Sequence, residues 1–330
     1  FIILLLITNT TTVFAHGFGE RYDLPIPLSY FIFGAVAVVA LSFAIIGMFI
    51  KQNTYDNDYQ QFNIWNKNNI KLSLKIFKSI LGILAVFILI LTVLTGLFGT
   101  KNALDNFAPT FVWIIWWVGL GYIVAVFGNL WVIVNPWSVI FKYIENIFKD
   151  KIKPVYKWPS ALDTWPALIM FFLFAWFENV YSGSSAPNIL AISLIGYSIY
   201  SFGGMFIFGR HVWLRHADPF FVLFSLFSRF SITEIRVVTS DENDPVCKKC
   251  SSLCFDVTLK DCVDCYECWE AAPDELRKFS FRFFASGLAR GEKISWALVS
   301  FHITALATVT FDGFAETPAW LSVQNTLWPF

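Results

Sequence analysis

The sequence predicts an all-α fold: an integral membrane helical bundle of about six spans with a cytoplasmic Cys-rich loop. Three observations predict it. Of the 330 residues, 56% are apolar and only 15% are charged, against about 25% charged in an ordinary soluble domain. The apolar residues gather in stretches close to the ~20 residues a helix needs to cross a bilayer core. Lys and Arg fall almost wholly between alternate stretches. This composition argues against a soluble enzyme and a disordered chain. Lys+Arg and Asp+Glu number 24 each, so bulk positive charge offers nothing to nucleic acid, and no nucleic-acid partner is expected.

The elements follow in order. Residues 1–15 open on an apolar run, Phe1-Ile2-Ile3-Leu4-Leu5-Leu6-Ile7, and close on Val13-Phe14-Ala15, which reads as the back half of a secretory signal peptide. Six apolar stretches follow, at 28–50, 76–98, 111–134, 166–181, 189–208 and 294–311. The fourth is short and relies on Trp165, Trp176 and Tyr181 as interfacial anchors. Between the third and fourth, 138–149 mixes apolar and charged residues at helical spacing, as an amphipathic helix lying on the cytoplasmic interface does. Residues 220–230 are very apolar but too short to span. They read as interfacial or as a re-entrant piece packed on the bundle. No internal repeat is evident.

Orientation comes from the basic residues. With the mature N-terminus outside, every Lys and Arg except Arg21 and Lys101 lies inside, as the positive-inside rule favours. The chain is thus expected in the cytoplasmic (inner) membrane, with the lipid bilayer as its first partner. Its parts are a partial signal peptide at 1–15, a membrane domain of five spans at 16–240, a Cys-rich cytoplasmic loop at 241–275, and a sixth span with an outer tail at 276–330.

The loop carries all six cysteines: Cys247, Cys250, Cys254, Cys262, Cys265 and Cys268, in the pattern C-x2-C-x3-C-x7-C-x2-C-x2-C. Cytosolic thiols stay reduced. Two C-x2-C pairs in one hydrophilic loop resemble a structural zinc site, since each short turn aims two thiolates at one ion. Cys247, Cys250, Cys262 and Cys265 are the expected ligands, with Cys254 and Cys268 as substitutes or as part of a second site. An iron–sulfur cluster and disulfides or free thiols are the other readings. The loop also offers a docking place for a cytoplasmic protein partner.

Polar groups in or near the stretches supply further candidates. His211, His216 and Asp218 follow the fifth stretch. They form either a solvated interfacial cap with Arg210, Trp213 and Arg215, or a polar pocket of metal ligands or acid/base groups. His302 falls midway through the sixth stretch, where an ionisable group normally faces the bundle interior. Glu178 and Asp312 sit at outer ends, in a weakly cation-attracting mouth.

Four segments carry a resemblance: His16-Gly17-Phe18-Gly19-Glu20-Arg21-Tyr22-Asp23-Leu24-Pro25-Ile26-Pro27; Asn135-Pro136-Trp137; Phe208-Gly209-Arg210 through Trp213-Leu214-Arg215-His216; and Cys262-Val263-Asp264-Cys265-Tyr266-Glu267-Cys268. Together they resemble a family of prokaryotic multi-pass membrane proteins known as fenitrothion hydrolases, over most of the chain. The resemblance implies hydrolysis of an organophosphate triester. That chemistry needs an activated water and a cationic group on the phosphoryl oxygen. His211, His216, Asp218, Glu178, His302 and Asp312 are the candidates for it. A transporter or an accessory membrane subunit fits the same spans and buried ionisable groups.

Overall fold

The chain is mostly helical, with a small antiparallel sheet at one end of the helical bundle. The computed structural model describes residues 59–63, 68–148, 153–181, 183–239, 254, 256, 259–290 and 295–315, with the side chains of 68–75 and 309–315 outside that description. The expected signal segment 1–15, the apolar stretch 28–50, Cys247, Cys250 and the side chain of Asp312 therefore lie outside the described residues.

Strand β1 (Gln61–Asn63) precedes α1 (Asn68–Phe98). Helix α2 (Phe107–Phe127) winds as a π-helix over Thr110–Gly119 and returns to α-geometry at Leu120. Three helices among the described residues are long and apolar enough to cross a membrane: Ile76–Phe98 within α1, α2 itself, and α6 (Pro187–Phe208). Helix α5 (Trp165–Asn179) and the Trp296–Thr308 part of α10 (Trp296–Ala315) are apolar but shorter.

Two expected elements differ. The stretch 111–134 is not one helix. Gly128 at φ 104° and ψ 172° ends α2, a conformation essentially restricted to glycine. Trp131–Val134 then forms a separate short helix, α3. The segment expected as an interfacial helix is α4 (Pro136–Phe148). Its first half buries Trp137, Ser138 and Phe141 against α1 and α6, while Tyr143, Ile147 and Phe148 in its second half are exposed.

The sequence hid a repeat that the structure shows. Helix α6 also ends on a positive-φ glycine, Gly209 at φ 89°. It is followed by the short helix α7 (Arg210–His216), a break at Asp218-Pro219, and α8 (Pro219–Phe227). The order α1, α2, Gly128, α3, Asn135-Pro136, α4 thus recurs as α5, α6, Gly209, α7, Asp218-Pro219, α8. Packing is reciprocal too. Helix α4 packs on α1 and α6, while α8 packs on α5 and α2. At α1 and α6 a Cβ on Gly96 would lie 2.6 Å from the Pro187 carbonyl. Trp113 and Trp117 of α2 meet Phe174 of α5.

The two short hairpins fill the middle of the bundle. Trp131, Trp137 and Phe141 of the first pack with Trp213, Phe220 and Phe224 of the second in one buried cluster. Helix α10 lies outside this, with Phe301 against Phe171 of α5 and Leu223 of α8.

The sheet has the order β1-β4-β2-β3, all antiparallel, with β2 (Thr233–Val238), β3 (Asp261–Val263) and β4 (Arg277–Arg282). Helix α9 (Tyr266–Ala271) follows β3. The sheet joins the bundle where α2 ends: Ile232 N–H donates to Val126 O at 3.0 Å, and the Thr233 hydroxyl donates to Phe127 O at 2.6 Å.

Candidate functional site

The two breaks meet in the bundle interior. Proline suits the first helical position because the N–H it lacks has no helical partner there. Asn and Asp are preferred just before it, since their side chains accept the orphan N–H groups. Asn135 Oδ1 accepts from Ser138 N at 3.0 Å. Asp218 Oδ1 accepts from Phe220 N and Phe221 N, both at 2.9 Å. The remaining atoms face each other, and Asn135 Nδ2 donates to Asp218 Oδ2 at 3.2 Å. These side chains sit in residues only 1% and 2% exposed. The Asp218 carboxylate thus sits at the positive end of α8 and is tied through the Asn135 amide to the start of α4.

Helix α6 supports this crossing. Tyr200 Oη donates to Ala217 O at 2.9 Å, and Trp137 Nε1 donates to Ser198 Oγ at 2.8 Å. The Tyr197 hydroxyl sits beside Asp218, buried and outside good hydrogen-bond geometry. A cavity of about 560 Å³ opens above the crossing between α1, α2, α5 and α6. Pro136 and Pro219 form part of its floor, and its walls are almost entirely apolar, with Trp116, Trp131, Tyr197 and Phe220 prominent.

A second constellation lies at the sheet end. Cys254, Cys262 and Cys268 bring their sulfurs within 4.8 Å of one another. The separations are 2.7 Å (Cys254–Cys262), 3.5 Å (Cys254–Cys268) and 3.9 Å (Cys262–Cys268). Four thiolates at about 2.3 Å around a tetrahedral ion stand roughly 3.7 Å apart, so this trio could bind a metal ion. Cys262 comes from β3 and Cys268 from α9. Of the expected ligands, Cys262 is in the trio. Cys265 is buried in the same cluster but caps α9, and Cys268, one turn later, stands in its place.

Residues beside these cysteines hold the second hairpin. Glu270 of α9 accepts from Arg210 Nη2 at 2.7 Å and from Lys142 Nζ at 2.8 Å, with His211 Nε2 at 3.3 Å and Lys78 Nζ at 3.5 Å. Burial alone would raise the Glu270 carboxyl. The His211 contact and the Arg210 and Lys142 charges override it and hold the group well below the usual carboxylate range. Arg210, 8% exposed, also donates to Glu145 at the end of α4 at 3.0 Å. At the other end of the hairpin, Arg282 donates to Asp264 at 2.9 Å, Ser228 O at 2.8 Å and Ser231 O at 3.0 Å.

The expected catalytic residues are dispersed. Asp218 is at the crossing, and His211 belongs to the Glu270 cluster. His216 stacks on Trp158 at 5.4 Å. His302 lies edge-on to its neighbour Phe301 on α10, and Glu178 is near the end of α5. Asn135, Tyr197, Glu270 and Arg282 carry the observed sites and were not among the expected catalytic or metal-binding residues. One signal was available: an Asx-Pro pair within ten residues after a glycine, occurring twice. The chain matches no protein-family model, no curated protein and no solved structure.

Proposed function

We propose that this is a transport protein of the cytoplasmic membrane, with its passage between the two helix repeats and its controlling point at the Asn135–Asp218 crossing. The observation that carries the reading is that crossing: a buried carboxylate that caps α8 and is tied through Asn135 to the start of α4, with the adjoining Pro136 and Pro219 lining a cavity. Membrane carriers build solute sites from discontinuous helices at the interface of internal repeats. Ionisable groups at such depth serve solute or ion pathways. The Lys and Arg distribution supports a Cys-rich loop facing the cytoplasm and six spans.

The cavity walls narrow the cargo. They present aromatic and aliphatic faces and few polar atoms, so they offer no substitute for the hydration shell of a small ion. An organic solute with a large apolar part fits them. Reconstituted protein should take up such a solute in counterflow, and Asp218→Asn should lower the rate by about tenfold or more, since removing a charged partner from a buried hydrogen bond costs roughly 1.5–3 kcal/mol. A triester hydrolysed in detergent, with no solute flux in vesicles, would replace this reading with the hydrolase one.

The metal of the thiol cluster is proposed to be structural zinc, on the sulfur spacing and the reducing compartment. Elemental analysis should find about one zinc per chain, lost in Cys262→Ser/Cys268→Ser. Iron with acid-labile sulfide would assign a cluster instead.

A further inference from the structure

We propose that metal held by Cys254, Cys262 and Cys268 governs the broken-helix crossing, because the same ten-residue segment that supplies two of the thiols also clamps both ends of the α7–α8 hairpin. The consequence for transport rests on the reading given above, but the mechanical coupling does not.

The segment runs from Asp261 to Glu270. Cys262 and Cys268 lie within it, and Cys254 joins them from outside. Asp264, two residues past Cys262, holds Arg282, and Arg282 donates to the carbonyls of Ser228 and Ser231 at the end of α8. Glu270, two residues past Cys268 on a six-residue helix, holds Arg210, the first residue of α7. Between these two clamps the hairpin carries Asp218 into the crossing. Glu270 reaches the other hairpin as well, through Lys142 of α4 and through the Arg210–Glu145 pair.

The β3 half of the segment is held by pairing with β2 and by the ion pairs of Asp261 with Arg236 and Arg290, and the α9 half packs on one small buried cluster. That cluster consists of Val237, Cys262, Cys265, Cys268 and Ala272, with Cys254, Trp269 and Leu276 packed against it. Half of those residues are cysteines. Without a cation, crowded thiols give this cluster little cohesion, while a bound ion joins strand β3 to helix α9 directly. In small metal-centred units the binding free energy is folding free energy. Metal loss therefore loosens α9, releases Glu270 from Arg210, and frees α7 at the glycine where it begins. Gly209, at φ 89°, is the pivot on which that hairpin can swing.

The test is hydrogen exchange by mass spectrometry on the full chain in detergent. It is run metal-loaded, after a strong zinc chelator, and after zinc is restored. Backbone amides of residues 210–227 should exchange about tenfold faster or more after chelation, and zinc should reverse this. Residues 296–308 of α10, which meet the hairpin only through the packing of Phe301 on Val222 and Leu223, should change far less. Glu270→Gln should show the fast exchange with its metal content intact, so a general collapse of the thiol site is not the cause. Chelation that strips the metal and leaves 210–227 unchanged would overturn the proposal. So would a metal-loaded Glu270→Gln that exchanges like the parent. A coupled hairpin in a protein showing no solute flux would leave the coupling standing and remove the transport reading alone.

Discussion

Asn135 does two things at once. Its oxygen caps α4 and its amide donates to Asp218. Asn135→Leu removes both, leaving a buried carboxylate oxygen and the Ser138 N–H without those partners. The expected cost is about 1–3 kcal/mol for the unmet buried group, with about 1 kcal/mol more for the lost cap. Thermal unfolding in detergent checks it, and a melting temperature within a degree of the parent would contradict the buried crossing. Asp218 was legible in the sequence as a candidate. Its partner was not, because an Asn beside a Pro reads as an ordinary helix start. Only the fold shows that a second start, 83 residues later, points at the first. The two histidines of α7 part company in the fold. His211 and His216 share α7 with the approach to the crossing, yet one joins the Glu270 cluster and the other stacks on Trp158.

At the scale of elements, the two hairpins exist because two helices stop. Gly128 and Gly209 hold conformations closed to other residues. Gly209→Ala should destabilise by about 1–3 kcal/mol. Gly128→Ala should do at least as much, since its Cβ would stand 2.5 Å from the Thr233 hydroxyl oxygen. At Gly203, within α6, an added Cβ would meet nothing within 4 Å, so Gly203→Ala should be neutral or stabilise by about 0.5–1 kcal/mol. Opposite signs at Gly203 and Gly209, six residues apart, separate backbone conformation from mere helix propensity in a denaturant titration. The apolar helices α1, α2 and α6 were legible from hydropathy, since their length and composition suffice. The end of α2 was not, because the apolar run continues through Trp131–Val134 after the backbone has turned. The sheet was also missed. Its strand β2 alternates polar and apolar only over Glu234-Ile235-Arg236-Val237, a signal too short to stand out, and buries both faces, Glu234 and Arg236 included. Those charges are tolerated because they pair: Arg236 with Glu234 at 2.9 Å and with Asp261 at 2.8 Å.

For the whole molecule, the distribution of Lys and Arg makes one prediction about sidedness. A membrane-impermeant maleimide should not reach the cysteines in right-side-out vesicles. It should label them in inverted vesicles, and faster once metal is removed. Labelling from the outer face would reverse the orientation and with it the reducing environment assumed for the thiols. The repeat is the feature least legible in the sequence. Across its two copies the shared marks are a glycine, an Asx-Pro pair and an aromatic residue after the proline (Trp137 and Phe220). Much of the rest of each copy is apolar, and apolar side chains of similar volume exchange freely.

The likeness of the two copies fails at the point where they touch. One contributes an amide and the other an acid. Two acids there would set like charges one hydrogen bond apart, and two amides would leave the α8 dipole without a counter-charge. Asn135→Asp and Asp218→Asn should each lower the melting temperature, and the double exchange should recover most of the loss, leaving a molecule with its polarity mirrored across the same seam.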